Sequence, residues 1–380
     1  MQKIQLALVV VLLFLFGMNF RLPTSEATPA GTTRPSTRIH RASMAPVLRS
    51  FQPCNAGSLR NWRPGKCSDD KSWLVPWMKS RPAGSWRMVD VGANKGYVIA
   101  EWLEILLGEG RTVFTPHNLG VQIYSRHRNE GGFMSKCGGC CECVGGTTRA
   151  TAEERASSVQ VWAFEPGVAN YRWLRSFFMN ASLVNVTNAA VSYAPGTAYF
   201  PDTLLGVETG KVKEQPAEGY VPVQIVSLDS FFPAEVDFLD VLSTDAEGFD
   251  QDVAKGATRF IAQGRVGVYQ FEMYRAEDYK SIFRSLEFSG FACYFFTEAR
   301  GRARAAAFVR ITHGCWNDVY ANWTGWVNGL CYNTRIEVLG VIFDRLEKTM
   351  KTGGSGNCPS RVKQRKLVTD FVEKFVNKTP

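Results

Sequence analysis

Between residues 86 and 290, apolar runs of strand length alternate with stretches of helical length, and this alternation narrows the choice of fold more than any other feature. Val89 to Val91 reads as the end of a buried strand and Tyr97 to Leu107 as a helix. Val159 to Phe164 follows as a strand and Val168 to about Met179 as a helix. Leu183 to Val191, a β-rich stretch to Phe200, and Val221 to Val226 add strands on either side of a loop from Pro201 to Gly219. Val236 to Leu242 and Val266 to Phe271 are further apolar strands, and Ala276 to Phe288 is a helix. Phe291 to Phe296 and Ala305 to Ile311 read as a closing antiparallel pair. Parallel strands need a crossover, and helices supply it while covering both faces. The expected fold is therefore α/β: a Rossmann-like, mainly parallel central sheet with helices on both faces and a closing antiparallel strand pair.

Three clusters carry chemistry, and all sit where strands end. Asp90-Val-Gly92-Ala-Asn94-Lys-Gly96 lies between a strand and a helix. Its glycines let the backbone turn tightly against a ligand, and the helix start favours negative charge. The spacing is not the dinucleotide G-x-G-x-x-G. It suits a small zwitterionic cofactor, with Asp90 toward an amine and the glycine turn toward a carboxylate. Phe164-Glu165-Pro166 ends the next strand, where an acidic residue accepts both hydroxyls of a ribose. The third cluster, Asp245-Ala-Glu247-Gly248, follows an apolar strand. Ligands of parallel sheets bind beyond the carboxyl ends of strands, so Asp245 is expected near the reacting centre as a base or orienting group, or else as a helix cap.

In this order the clusters resemble the FkbM-type methyltransferase family. The resemblance rests on Asp90 to Gly96, Phe164 to Pro166, Asn188-Ala-Ala-Val191, Leu228-Asp229-Ser-Phe231, Asp245 to Gly248 and Gln270-Phe271-Glu272. It covers about residues 86–311 and implies a class I methyltransferase fold, S-adenosyl-L-methionine as methyl donor, and a hydroxyl acceptor on a glycan or small natural product. It also implies Asp90, Gly92, Asn94, Gly96, Glu165, Asn188 and Asp245 as cofactor contacts. Asp245 is then the base, with Glu247 and Glu272 as its helpers. The chain departs from the family at Ser243, where many members carry lysine, and in a long insertion at 108–157.

The ends of the chain are of another kind. An apolar run from Leu6 to Met18, with Ser25-Glu26-Ala27 behind it, reads as a signal peptide or signal anchor over 1–27, with possible membrane anchoring through residues 4–20. Residues 28–72 form a basic stem expected to be disordered, 73–311 the methyltransferase-like domain, and 312–380 a basic, partly mobile extension. The stem and tail carry more than the whole net charge of +9, leaving residues 68–344 mildly acidic. A nucleic-acid enzyme needs the opposite distribution, so no nucleic-acid partner is expected.

Ten cysteines, four of them at Cys137, Cys140, Cys141 and Cys143, suit disulfides in an oxidising compartment, and hence the secretory pathway, membrane-anchored or secreted. Four sequons, at Asn180, Asn185, Asn322 and Asn377, fit that route. No metal is assigned, since neither the cysteines nor the histidines show ligand spacing. Trp62, Trp73, Trp77 and Trp86 read as packing residues or as a carbohydrate-stacking face. Two other functions stay open: a Golgi-type glycosyltransferase using Asp250-Gln-Asp252, and a non-catalytic secreted binding module.

Overall fold

A computed structural model of the chain describes residues 62–64, 71, 73–81, 84–108, 111–127, 155–274, 279–299, 306–316 and 326–349. The apolar run within 1–27, most of the stem, the four clustered cysteines, Cys54, Cys67 and Cys358, Asn322 and Asn377, and the tail past 349 lie outside the described residues. In chain order the elements are β1 (Trp62–Pro64), α1 (Leu74–Lys79), β2 (Ser85–Val91), α2 (Tyr97–Leu107), α3 (Pro116–His127), β3 (Ser158–Phe164) and α4 (Val168–Phe177). Next come β4 (Val184–Thr187), β5 (Ala189–Val191), β6 (Gly196–Pro201), β7 (Tyr220–Val226), α5 (Leu228–Phe231), β8 (Leu239–Thr244), α6 (Asp250–Gly256) and α7 (Thr258–Ala262). The last are β9 (Val266–Tyr274), α8 (Tyr279–Phe288), β10 (Phe291–Ala299), β11 (Ala306–Arg310), β12 (Trp326–Asn333) and α9 (Glu337–Thr349).

The fold is the expected α/β one. The large sheet runs β1-β10-β12-β9-β8-β2-β3-β4, with β11 also paired to β10. The stretch from β9 through β8, β2 and β3 to β4 is parallel throughout, and β12, β10, β11 and β1 form an antiparallel flank. All of β8 is buried, as a strand covered on both faces requires. A smaller sheet, β5-β7-β6, stands apart from it.

Trp73, Trp77 and Trp86 are fully buried, so they pack rather than display a stacking face. Trp77 meets Trp86 edge-on at 4.9 Å between ring centroids, and the Arg81 guanidinium lies 4.7 Å over Trp86 while pairing with the buried Asp240. An aromatic pair of this kind adds about 0.5–1.5 kcal/mol beyond its buried area. The cluster fastens α1 against the amino-terminal half of the sheet.

The structure corrects five boundaries. The strand expected over Leu183 to Val191 is two strands in different sheets, broken at Asn188, whose side-chain amide donates to the carbonyls of Glu165 and Pro166 at 2.8 and 3.1 Å. The strand expected over Val236 to Leu242 begins at Leu239 and runs to Thr244, because a turn closed by Val236 N–H to the Pro233 carbonyl comes first. The insertion 108–157 contains α3, which buries Leu119 and Ile123 against the core. The stem expected over 28–72 contributes β1, which pairs with β10 at the sheet's edge. The extension expected over 312–380 includes β12, which lies between β9 and β10 inside the sheet, and α9, whose Leu339 and Phe343 are buried. Cys331 of β12 faces Cys293 of β10 in the register, and the two form a disulfide; Cys315 is disulfide-bonded as well. Among the described residues no helix is long and apolar enough to cross a membrane.

Candidate functional site

From β2 the chain runs outward through β3 to β4, then returns on the other side of β2 with β8 and β9. Neighbours diverge at such a switch point, and a crevice opens at the carboxyl ends of the strands. A cavity of about 690 Å³ lies there, walled on the other side by the small sheet and the loop 202–219. Asp90, Gly92, Asn94 and Glu165 line one part of it, and Asp245, Glu247 and Glu272 line another.

The glycine turn follows from what surrounds it. Gly92 has φ +79°, and a Cβ there would run into the carbonyl oxygen of Asp245. Its N–H and that of Ala93 both donate to the Phe164 carbonyl, at 2.9 and 3.0 Å. Gly96, with φ +93°, has another task. It caps α2 and does not line the cavity; a Cβ there would stand 2.7 Å from Leu174 of α4. The missing side chain at Gly96 lets α2 and α4 approach.

Asp90 is buried at 3% exposure, and its Oδ2 has no hydrogen-bond partner although it stands in the wall of a cavity. Burial pushes its carboxyl up to about 7; the charges of Asp245 and Glu165 add to the rise, and Lys71 and the Ser243 hydroxyl oppose it. Glu165 is also buried. Its Oε2 accepts from Asn94 N–H and its Oε1 from Gly167 N–H, both at 2.7 Å. Burial raises its carboxyl to about 7 against those bonds. Each carboxylate oxygen has two lone pairs, so both can still accept from a ligand. Asn188 stands behind this group, outside the cavity. Its amide holds the backbone of Glu165 and Pro166 in place.

At the other part of the cavity, Asp245 leaves β8 exposed to the opening, its N–H donating to the Val91 carbonyl at 2.9 Å. Glu247 is half-buried in a left-handed conformation (φ +52°), and Glu272 is buried on β9. One carboxylate oxygen from each of these three lies within 4.8 Å of the others. Burial raises the Glu272 carboxyl well above the ordinary range, and the Asp245 charge and a hydrogen bond to Asp245 raise it further. Burial likewise lifts Glu247 to about 7, with Asp245 adding to it and Lys211 opposing it.

Asp250, and not Asp245, fastens the turn. It is buried and accepts from Thr244 Oγ1 at 2.6 Å, from Ala246 N–H at 3.2 Å and from Glu272 N–H at 3.3 Å. Asp252 pairs with Lys255 at 2.7 Å. In the Asp250-Gln-Asp252 sequence, Asp250 is thus taken up by the fold, while Asp252 stands in a partly exposed ion pair on the helix surface.

Four residues of the site escaped the sequence reading. Lys95, its side chain only 2% exposed, pairs with Glu208 of the loop 202–219. Asn170 of α4 accepts from Gly206 N–H at 2.8 Å and donates to Asn94 Oδ1 at 3.3 Å, tying the same loop to the glycine turn. Asn328 of β12 lines the cavity and faces Glu272 in the strand register.

Residues 136–301 match the methyltransferase FkbM domain. That segment holds Glu165, Asp245, Glu247 and Glu272; the turn at Asp90 to Gly96 precedes it in sequence and enters the same sheet between β3 and β8. No curated protein sequence matches the chain. Among solved structures, the methyltransferase FkbM from Methylobacillus flagellatus KT overlaps 50% of this chain and 32% of its own, at 14% identity and a TM-score of 0.27. This chain thus spans about a third of that protein's length. A precorrin-6y C5,15-methyltransferase from Geobacter metallireducens GS-15 overlaps 71% and 93% (11% identity, TM-score 0.29). TrmK of M. capricolum, in complex with S-adenosyl-homocysteine, overlaps 81% and 88% (6% identity, TM-score 0.28). These overlaps are too low to add to the fold, which the strand order establishes.

Proposed function

We propose that this chain, whose residues 136–301 match the methyltransferase FkbM domain, uses S-adenosyl-L-methionine to methylate a hydroxyl group of a glycan or small-molecule acceptor. The observation that carries the reading is the placing of Asp90 and Glu165 in one cavity with Asp245. The unpartnered, buried Oδ2 of Asp90 fits the ammonium of a methionine moiety, since a buried carboxylate oxygen without a donor is costly. Glu165, held by two backbone N–H groups, fits a pair of ribose hydroxyls. Gly92 and Asn94 form the wall between them. A cavity of about 690 Å³ is within the size of pockets for drug-sized ligands.

When bound, the cofactor supplies a methyl group on a positively charged sulfur, so that as the acceptor oxygen bonds to carbon the carbon–sulfur bond breaks and the sulfur keeps the electron pair. The chain's share is positioning, exclusion of water and the handling of one proton. Holding two reactants in line is worth roughly 7–11 kcal/mol of barrier. Asp245, at the open side of the cavity, orients the hydroxyl and receives its proton, a role worth about 10²–10⁴-fold. Glu247 and Glu272 flank it and set its charge. The loop 202–219, fastened through Lys95–Glu208 and Asn170–Gly206, closes the opposite wall against water.

A secretory location, with anchoring through residues 4–20, belongs to the same proposal. It is supported by the Cys293–Cys331 disulfide and by the exposure of Asn180 and Asn185. The test is transfer of labelled methyl from S-adenosylmethionine to a panel of glycans and small alcohols by the full chain. Incorporation that Asp245→Asn cuts, with cofactor affinity retained, supports the reading; labelling that Asp245→Asn leaves unchanged sinks the role of Asp245.

A further inference from the structure

We propose that Asp245, Glu247 and Glu272 hold one divalent cation of the magnesium or manganese class, which seats an acceptor by two neighbouring hydroxyls. The cation site stands on the geometry alone; its use in seating an acceptor rests on the methyltransferase reading.

The register makes the site. β8 and β9 are parallel neighbours paired through Thr244 and Phe271, so Asp245, where the chain leaves β8, stands beside Glu272, which continues within β9. Glu247 returns to the same point because the backbone turns left-handed at Glu247 and again at Gly248. Asp250 locks the arrangement by bonding the β8 end, the turn and the Glu272 backbone at once. The three carboxylate oxygens lie within 4.8 Å of one another. Ligand oxygens on a hard cation stand about 3 Å apart when adjacent and about 4–5 Å apart when opposite, so oxygens gathered within that limit can share one ion.

A second observation points to a ligand there. Glu272 is buried at 8% exposure, and its Oε2 has no hydrogen-bond partner. A buried carboxylate oxygen without a donor is costly, and coordination removes that cost. An all-oxygen, all-carboxylate set suits hard cations such as magnesium and manganese. Three protein ligands leave up to three positions of an octahedron open. Two neighbouring hydroxyls, such as a sugar ring presents, fill two of them. An ion held there would acidify the attacking hydroxyl, and the other oxygen of Asp245 would take its proton. Asn328, beside Glu272 in the register, lines the same cavity and offers an amide to an acceptor seated there.

The test is titration of the full chain with Mn²⁺ alone, followed by calorimetry and by the spin-resonance signal of the free ion, with S-adenosylmethionine titrated separately into the same sample. One bound Mn²⁺ per chain, displaced by Mg²⁺ and weakened about tenfold or more by Glu272→Gln, supports the proposal. Glu247→Gln, at a half-buried position, gives the same reading if Glu272→Gln does not fold. Absence of Mn²⁺ binding, or binding indifferent to a folded variant, overturns it. Because the cofactor titration is separate, loss of the cation site leaves the methyltransferase reading standing, and absence of cofactor binding with Mn²⁺ bound condemns that reading alone.

Discussion

Gly92 and Asp245 press backbone against backbone: the left-handed glycine of the first turn leaves no room for a side chain before the carbonyl of the residue that ends β8. The wall of the cofactor site and the proposed base are therefore one mechanical unit. Gly92→Ala must both strain a positive φ and push Asp245 away. We expect a loss of about 1–3 kcal/mol in unfolding free energy, with turnover falling further than stability. Denaturant unfolding and methyl transfer, measured side by side, check this.

Asp245→Asn removes the proton acceptor without changing shape. Turnover should fall by about 10²–10⁴-fold while the dissociation constant for S-adenosylmethionine stays within a few-fold of wild type. The KM-against-kcat split is the readout.

Cofactor affinity should depend on pH through Asp90 and Glu165, both raised to about 7 by burial. Below that value each takes up a proton, and Asp90 ceases to attract an ammonium. Affinity should weaken as pH falls through 7, by up to about tenfold per unit for a single group. The sign for stability is opposite. Carboxyls whose folded values are raised contribute stability that is full below their unfolded values near 4 and is lost as pH rises through 7. The unliganded chain should therefore lose this contribution between pH 4 and 8, and added cofactor should raise the melting temperature most at the alkaline end. Melting curves with and without cofactor across that range decide it.

The loop 202–219 hangs on Lys95–Glu208 and on Asn170. Glu208→Gln leaves the buried Lys95 ammonium without its carboxylate, and removing one partner of a buried pair costs about 3–5 kcal/mol at most. The partial exposure of Glu208 lowers that figure. Protease cutting within 202–219 should become faster, and cofactor should slow it again.

Much of the site was legible because its residues carry local signatures. Asp90 to Gly96 and Phe164 to Pro166 announce strand ends by glycine and proline, and Asp245 to Gly248 does so by a glycine after two carboxylates. What escaped depends on partners distant in sequence. Lys95 reads as one more residue of a turn until the loop brings Glu208 to it. Asn170 reads as a helix-surface amide, and only the tertiary fold aims it at Gly206 and Asn94. Asn188 enters as a cofactor contact only through the family resemblance, and its amide donates to the carbonyls of Glu165 and Pro166, a bond the motif does not announce. β12 was missed because Trp326 to Asn333 mixes glycine, asparagine and apolar residues. Gly329 is there to admit the Phe271 ring, a demand made by the neighbouring strand and invisible in the segment itself. The three carboxylates of the proposed cation site come from a loop and from the next strand of the sheet, across a register that spacing does not reveal.

The most direct test of the central claim is calorimetric titration of the full chain with S-adenosylmethionine, beside Glu165→Ala. The account predicts micromolar binding by the wild type, weakened at least tenfold by the substitution, since the ribose loses its carboxylate. A folded wild-type chain that binds no S-adenosylmethionine, or binds it as tightly without the Glu165 side chain, would contradict it.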